Sequence, residues 1–235
     1  MRHDIKRRRV QVLRVDTLSP HLRSITFGGD ELADFVSASF DDHVKLMFDA
    51  QGNQEPVRRD YTPRHHDAAR RELTLEFVLH GDSLAAAWAA QAAPGQQVSI
   101  GGPRGSLIIP LDYDWHLLVG DETALPAIAR RLEELPASAR AIVIAQVADP
   151  ADQRDLRSAA ALQVCWVADA PGLLDALHAL QLPEGDGYAW CAAEAKVSAE
   201  ARRVLVQDNG HDRHAIRAAA YWKRGAVAHH ENLEA

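Results

Sequence analysis

Hydrophobic and polar residues alternate in short segments through the first half of the chain. The segments are VQVLRVDTL, LRSITFGG, HVKLMFDA, ELTLEFVLH and QQVSIGG, and turn residues separate them, as at Ser19-Pro20 and Gly28-Gly29-Asp30. Alternation of this kind predicts strands that bury one face. With one helix predicted near residues 84–92, we expect the first half to form a closed antiparallel β-barrel.

The second half of the chain has a different rhythm. The apolar segments LLVG, AIVIAQV, LQVCWVA and YAWCAA alternate with helical segments predicted at 124–134, 172–180 and 196–208. This alternation predicts a parallel sheet with helices on both faces. A proline and two aspartates interrupt both patterns at 108–114, IIPLDYD. We therefore predict two domains, a β-barrel over 1–110 and an α/β domain over 111–235.

The composition narrows the classes of function. The 235 residues carry a net charge of −7, which argues against nucleic-acid binding, and no apolar run approaches a membrane span. No signal-peptide core follows the basic start MRHDIKRRR. A cytoplasmic protein is therefore expected, and the start is interpreted as a solvated tail. Cys165 and Cys191 are expected to be buried free thiols, and the histidines lack metal-ligand spacing, so no metal site is predicted.

The run RRDYTPR at 58–64 combines residue types that suit a flavin. The guanidinium of Arg59 can bind a pyrophosphate through two parallel hydrogen bonds. The ring of Tyr61 can lie on a flavin face, and the hydroxyl of Thr62 can bond its polar edge. Pro63 favours an extended Thr62, which leaves Arg59 and Tyr61 on one face. An exposed, charge-rich strand end is the alternative, and the run alone does not exclude it.

Further signals follow in order along the chain. Gly81 and Ser83 precede an alanine-rich helical segment, whose first amides could bind the other side of a pyrophosphate. The segment PGQQVSIGGPRG, 94–105, predicts a turn, a strand and a glycine-rich turn at the rim of a barrel. WHLLVGDETALPAIARRLEEL, 115–135, predicts a buried strand, a polar turn and a helix, as at the start of a nucleotide-binding domain. It lacks a G-x-G-x-x-G motif, so this turn alone is a weak signal.

Together with EFVLHG, YAWCAAEA and YWKRG, these motifs resemble the siderophore-interacting proteins from about Arg9 to Gly225. Members of this family are FAD-dependent ferric-siderophore reductases of the ferredoxin–NADP reductase superfamily. The resemblance implies an FAD-binding barrel, an NAD(P)H-binding α/β domain and reduction of Fe(III) to Fe(II) in the cytoplasm by a monomer. One departure is Ser83-Leu84-Ala85, where members often carry Gly-Pro after the HG. The pyrophosphate loop is therefore expected to be shorter.

The resemblance also implies the residues of the site. Those expected to bind the cofactors are Arg59, Tyr61, Thr62, Arg64, His80, Gly81, Ser83, Ala85, Gly120, Asp121, Glu122, Thr123 and Glu194. Ferric catecholates are anionic, so the substrate mouth should be basic, and the cations expected there are Lys45, Arg104, Lys223 and Arg224. The alternatives are solvated surface charges for the cations and helix capping for Glu122 and Glu194. The flavin would carry the chemistry, so no catalytic side chain is expected, and the sequence shows no Ser/His/Asp constellation.

Two other functions stay open at this stage. The chain could be a general flavin reductase that passes electrons to a ferredoxin-like or oxygenase partner, although it has no cysteine cluster for an iron–sulfur centre of its own. It could also be a siderophore-binding protein without catalysis. The sequence does not identify the siderophore or decide between NADH and NADPH. Asp149 would disfavour a 2′-phosphate, whereas Arg154 and Arg157 could bind one.

Overall fold

Two compact units make up the chain, residues 1–109 and residues 110–235. The computed structural model describes residues 1–48, 57–79, 83–226 and 231–232. Within these residues, no helix is both long and apolar enough to cross a membrane.

The first unit is an antiparallel sheet of seven strands with one helix. The elements are β1 (Arg7–Ser19), β2 (Leu22–Gly28), β3 (Val44–Phe48), β4 (Val57–Tyr61), β5 (His65–Asp67), β6 (Glu72–Val78), α1 (Leu84–Ala90) and β7 (Gln97–Gly101). The strand order is β4-β3-β7-β1-β2-β6-β5, so β4 and β5 form the two edges. Only residues 62–64 connect these edges. The Cα atoms of Tyr61 and His65 can therefore be no more than about 14 Å apart.

This short connection requires the sheet to curl until its first and last strands come together. The predicted antiparallel barrel is confirmed as a barrel-like sheet. Residues 62–64 close the barrel by joining the two edge strands covalently, because the described hydrogen-bond ladders join neighbours in the strand order and do not pair β4 with β5. We call the β4–β5 meeting line, residues 57–67, the seam. The interior follows the predicted alternation, since Val10 and Val12 of β1 are buried while Arg9 and Gln11 are exposed.

The basic start of the chain is part of the fold, so its interpretation as a solvated tail is wrong. Arg2 forms an antiparallel bridge with Gly105. Arg8 lies within β1 and is only 5% exposed. Its guanidinium pairs with Asp34 at 3.0 Å and lies 5.6 Å from the centre of the Phe35 ring. Charge density alone cannot reveal these partners, because they come from segments distant in sequence.

The second unit is an α/β domain. Its elements are β8 (Trp115–Gly120), α2 (Leu125–Glu134), β9 (Arg140–Gln146), β10 (Ala161–Val167), α3 (Ala170–Ala179), β11 (Gly187–Glu194), α4 (Ala195–Arg203, continued by a π-helical turn Val204–Asp208), β12 (Ile216–Trp222) and β13 (Glu231–Asn232). The order is β10-β9-β8-β11-β12-β13, and β13 alone of these strands runs antiparallel to its neighbour. The predicted parallel sheet is confirmed.

Helices cover both faces of this sheet. Leu173 and Leu177 of α3 share a core with Leu117, whose side chain is on one face of β8. Gly120 alternates to the other face, where Ile128 of α2 lies 3.6 Å from the position that a Cβ on Gly120 would take. The prediction of helices on both faces of the sheet is therefore confirmed.

The two cysteines differ in exposure. Cys191 is in the central strand β11 and is 1% exposed, as expected. Cys165 is exposed, so the expectation that both thiols are buried is wrong. Cys165 belongs to β10, the last strand of the described sheet order, whose residues alternate between exposed and partly buried positions.

Candidate functional site

The seam of the barrel places Arg59 and Tyr61 on one side of β4. Register with β3 sets Arg59 opposite Leu46 and Tyr61 opposite Val44, so both share the face of these core residues. The partly buried Tyr61 ring packs against Phe77 with ring centres 4.3 Å apart. Burial raises the pKa of the Tyr61 hydroxyl, although the charge of Arg59 opposes this. The ring is thus fixed at the seam next to a guanidinium, which itself donates to the carbonyl of Arg58 at 2.8 Å.

Thr62 and Arg64 connect the two edge strands. Thr62 is 6% exposed. Arg64 lies 3.3 Å from the carboxylate of Glu76, and the two side chains are only 17% and 8% exposed. Its amide also donates to the carbonyl of Thr74 at 3.0 Å. Arg64 therefore has a structural ion pair that stabilises the seam, and its contact with a cofactor stays a prediction.

The start of α1 carries the next predicted residues. Ser83 caps the helix, because its hydroxyl accepts a hydrogen bond from the amide of Ala86 at 3.1 Å. Ala85 is 2% exposed and its methyl belongs to the barrel core, so only its backbone remains for a ligand. His80 and Gly81 lie outside the described residues.

Two of the four predicted substrate cations belong to the first unit. Lys45 contacts the carboxylate of Asp60 at 2.7 and 3.1 Å across the β3–β4 pair. This pair is on the opposite face of the sheet from Arg59, because neighbouring residues of a strand alternate. Arg104 is exposed in the turn after β7, and the register of Lys45 with Gly101 brings Lys45 to the start of that turn.

Asp121 is the centre of a hydrogen-bond network at the carboxyl end of the second sheet. It is 2% exposed, and burial raises its pKa while its donors oppose the shift. Oδ1 accepts from the amide and the hydroxyl of Thr123 at 3.0 and 2.5 Å. Oδ2 accepts from the amide of Glu194 at 3.1 Å and from the indole of Trp222 at 2.7 Å. One carboxylate therefore joins the ends of β8, β11 and β12.

Both predicted glutamates hold backbone amides. Glu122 is buried and accepts from the amide of Ala148, just after β9, at 2.8 Å. Glu194 caps α4 through the amide of Lys196 at 2.7 Å and also accepts from the amide of Arg224 at 3.3 Å. Partial burial favours a higher pKa for Glu194, but these amide hydrogen bonds outweigh it and lower the pKa. The capping alternative is therefore observed for Glu194, whereas Glu122 stabilises a neighbouring loop.

The remaining residues of this edge complete the site. Gly120 allows close packing, since a Cβ there would lie 2.3 Å from that of Ala124 and 2.6 Å from the carbonyl oxygen of Ala192. Lys223 and Arg224 are exposed in the turn that follows β12. Parallel sheets bind nucleotides at the carboxyl ends of their strands. The predicted residues of the second unit, which the sequence scatters over 120–224, are thus brought to one sheet edge.

The residues that bear on NADH or NADPH lie in the segment between β9 and β10. Asp149 accepts from the amide of Ala151 at 2.9 Å and begins a short helical turn. Arg157 pairs with Asp155 at 2.7 Å, and both side chains are exposed. These side chains therefore do not distinguish NADH from NADPH.

A serine, a histidine and an aspartate do meet in the first unit, contrary to the expectation from sequence. The Nε2 atom of His3 is 2.8 Å from Oγ of Ser106, which donates to Asp42 at 2.7 Å. Ser106 gives its proton to the aspartate, so His3 must be the donor to Ser106. A nucleophilic serine needs the reverse polarity. Ser106 is also 3% exposed, and the network serves to hold the start of the chain on the barrel. Within the described residues no cluster could hold a metal ion.

Two family models match the chain. The siderophore-interacting protein model matches residues 113–225, and the siderophore-interacting FAD-binding domain model matches residues 11–57 and 49–107. Together they span most of both units.

Curated relatives and a solved structure agree with these models. The NADPH-dependent ferric-chelate reductase of Escherichia coli is 36% identical, over 94% of this chain and 95% of its own length. Ferric vibriobactin reductase of Vibrio cholerae is 30% identical, over 95% of this chain and 93% of its own length. A siderophore utilization protein from T. fusca superposes with a TM-score of 0.90 at 32% identity and covers 96% of both chains.

Proposed function

The chain belongs to the siderophore-interacting protein family, and from this we propose that it reduces the iron of a ferric siderophore with electrons from a reduced nicotinamide nucleotide, through FAD. The NADPH dependence in the name of the Escherichia coli relative favours NADPH as the donor. We also propose that the protein acts in the cytoplasm as a monomer. The observation that carries the proposal is the seam, where a fixed tyrosine ring and a guanidinium share one face.

The seam fits an FAD group by the chemistry of its donors. Tyr61 is supported from behind by Phe77 and would carry the flavin ring. Arg59 would bind the pyrophosphate, and Thr62 would bond the polar edge of the ring. Bound FAD would accept a hydride from the nucleotide and supply single electrons to the iron. Reduction of Fe(III) to Fe(II) weakens the hold of hard oxygen ligands, which favours release of the iron.

The second unit would bind the nucleotide at the carboxyl edge of its sheet. Glu122 fixes the loop after β9, and Asp121 and Glu194 fix the ends of β11 and β12. These residues hold and orient, and none of them needs to move a proton during electron transfer.

Arg59→Ala tests the FAD site. Loss of a hydrogen-bonded charge pair costs about 2–4 kcal/mol, so we expect FAD affinity to fall by about 30- to 1000-fold. The measurement is flavin absorbance of the purified variant and FAD titration of the apoprotein. Arg58→Ala is the matched control, because Arg58 is the neighbouring residue on the opposite face of β4. Full FAD occupancy in Arg59→Ala would refute the assignment.

The substrate mouth is proposed to be a cationic rim formed by Lys45, Arg104 and Lys223, with Arg224 as a possible substitute. Asp60 already neutralises part of the Lys45 charge, so Arg104 and Lys223 should contribute more. An exposed charge attracts a unit anion by about 1 kcal/mol at close range in water. The triple alanine variant should therefore raise the KM for a ferric catecholate by about tenfold or more at low salt, and by less at high salt.

Flavin content and reduction of a neutral acceptor should not change in this triple variant. Three exposed arginines elsewhere, Arg70, Arg140 and Arg213, provide a matched control with the same change in net charge. An unchanged KM at low ionic strength would exclude the rim. Comparing ferric siderophores with ferredoxin and cytochrome as acceptors separates a siderophore reductase from a general flavin reductase.

A further inference from the structure

Asp121 occupies a position that local capping does not explain. Capping of the turn Glu122–Ala124 uses only Oδ1, through Thr123. Oδ2 is bonded to groups 73 and 101 residues further along the chain, the amide of Glu194 and the indole of Trp222. A carboxylate accepts several hydrogen bonds and donates none, so it matches all four donors that surround it.

The ladder between β11 and β12 is irregular at this place. Pairing runs regularly to Ala193 opposite Ala220, and then Glu194 is opposite Trp222, so Tyr221 is passed over. Such bulges redirect side chains and are frequent next to active sites. The amide of Glu194 bonds to Asp121 here, so the carboxylate supports the strand end at the irregularity.

The hydrogen bonds form a closed ring. Asp121 binds the Trp222 indole, the chain continues two residues to Arg224, and the Arg224 amide donates to the Glu194 side chain at 3.3 Å. The amide of Glu194 then returns to Asp121. The ring therefore fixes the turn that carries Lys223 relative to the ends of β8 and β11.

We propose that Asp121 is a positioning residue for the nicotinamide nucleotide: its carboxylate sets the Trp222 indole and the Lys223–Arg224 turn at the carboxyl edge of the second sheet. This inference rests on the proposed function of that edge. Asp121 itself need not touch the nucleotide. The consequence is that substitutions at Asp121 and at Trp222 should weaken nucleotide binding in the same way and leave FAD content intact.

Asp121→Leu is the informative substitution, because it keeps approximately the shape of the side chain and removes both acceptor oxygens. An asparagine can place its one acceptor oxygen at the Oδ2 position and keep both bonds there, whereas a leucine breaks the ring at this residue in any rotamer. We expect the Kd for NADP⁺ and the KM for NADPH to rise about tenfold, with kcat on a neutral acceptor within about twofold. Such a pattern indicates loss of binding that ground and transition states share.

Trp222→Phe removes the indole donor but keeps an aromatic ring, and it should reproduce the loss. In the double variant the second substitution should add little, because both remove the same link. Asp114→Leu is the matched control, since Asp114 accepts from the Asp186 amide next to the amino end of β8 and takes no part in the ring. It should retain nucleotide affinity within about twofold.

A spectroscopic readout tests the link independently of activity. The chain has five tryptophans, and Trp222→Phe identifies the Trp222 indole signal in a proton–nitrogen correlation spectrum of the FAD-bound protein. Asp121→Leu should shift this signal and speed its solvent exchange. The same spectra, with calorimetric titration of NADP⁺, report nucleotide binding directly.

The outcomes separate this inference from the proposed function. A wild-type protein that binds neither NADP⁺ nor NAD⁺ would refute the proposed function. If the wild type binds and both Asp121→Leu and Trp222→Phe bind equally well, the positioning role is wrong. An indole signal that Asp121→Leu does not move would also overturn it. If Asp121→Leu does not fold, Trp222→Phe alone decides, with unchanged nucleotide affinity as the refuting result.

Discussion

His116 makes the second unit sensitive to acid in a way that one substitution can remove. It is fully buried in β8, and Tyr113 packs edge-on against its ring at 5.9 Å. Burial, and after it the nearby charge of Arg131, lower its pKa from 6.5 to about 4, although the Leu111 backbone opposes the shift. The folded chain therefore keeps a neutral imidazole under mildly acidic conditions.

The sign of the effect follows from linkage. Above the unfolded pKa the ring is neutral in both states and contributes no pH dependence. As the pH falls below it, the unfolded chain gains a proton that the folded chain accepts only near its own lower pKa. Between pH 7.5 and 4.5 this destabilises the folded state by about 2.5 kcal/mol. His116→Leu should therefore lose about that much of the pH dependence, whatever its stability at neutral pH.

Urea unfolding at a series of pH values, followed by tryptophan fluorescence, measures the difference. Four of the five tryptophans belong to residues 110–235, so the signal reports mainly on the second unit. The exposed His214 provides the control, and His214→Leu should keep the wild-type pH profile. Parallel profiles for wild type and His116→Leu would refute the reasoning, because they would mean that the folded state protonates as readily as the unfolded chain.

Two further predictions concern packing and reactivity in the second unit. Gly187→Ala should destabilise this unit by about 3 kcal/mol, because the new Cβ would lie 1.9 Å from Cε2 of Trp115. Thermal unfolding measures the loss, and a melting temperature equal to that of the wild type would contradict the packing. Cys165 should react with a thiol reagent in the native protein, because it is exposed. Cys191 should react only after unfolding, since it is buried and burial raises its pKa to about 12. Mass spectrometry that finds the Cys191 adduct under native conditions would contradict its burial.

The sequence predicted those features that depend on local patterns. The hydrophobic–polar alternation in β1 predicted the antiparallel sheet of the first unit. The strand–helix alternation after residue 114 predicted the parallel sheet of the second unit. Exposure of Cys165 was not predictable in this way, because it depends on β10 being the last strand in the described order. Local patterns show that a strand has two faces, but they do not show which neighbours cover them.

The same distinction between local patterns and distant contacts applies to the candidate site. The run around Arg59 and Tyr61 was found because its members are two residues apart on one strand. The partners of Asp121 are 73 and 101 residues away, and no local signal links a Trp222 indole to that carboxylate. The bond of Glu122 to the Ala148 amide likewise requires two adjacent parallel strands to be in register.

The seam of the barrel has a consequence for how the first unit avoids association with other copies. The edge strands β4 and β5 come together at the seam, residues 57–67. Strand edges offer amides and carbonyls that can form hydrogen bonds with a strand of another copy. A flavin held across Arg59 and Tyr61 would shield this line, so a chain newly made and still without its cofactor would be the most vulnerable form. Supply of FAD during synthesis would then protect the protein from edge-to-edge aggregation, in addition to equipping it for electron transfer.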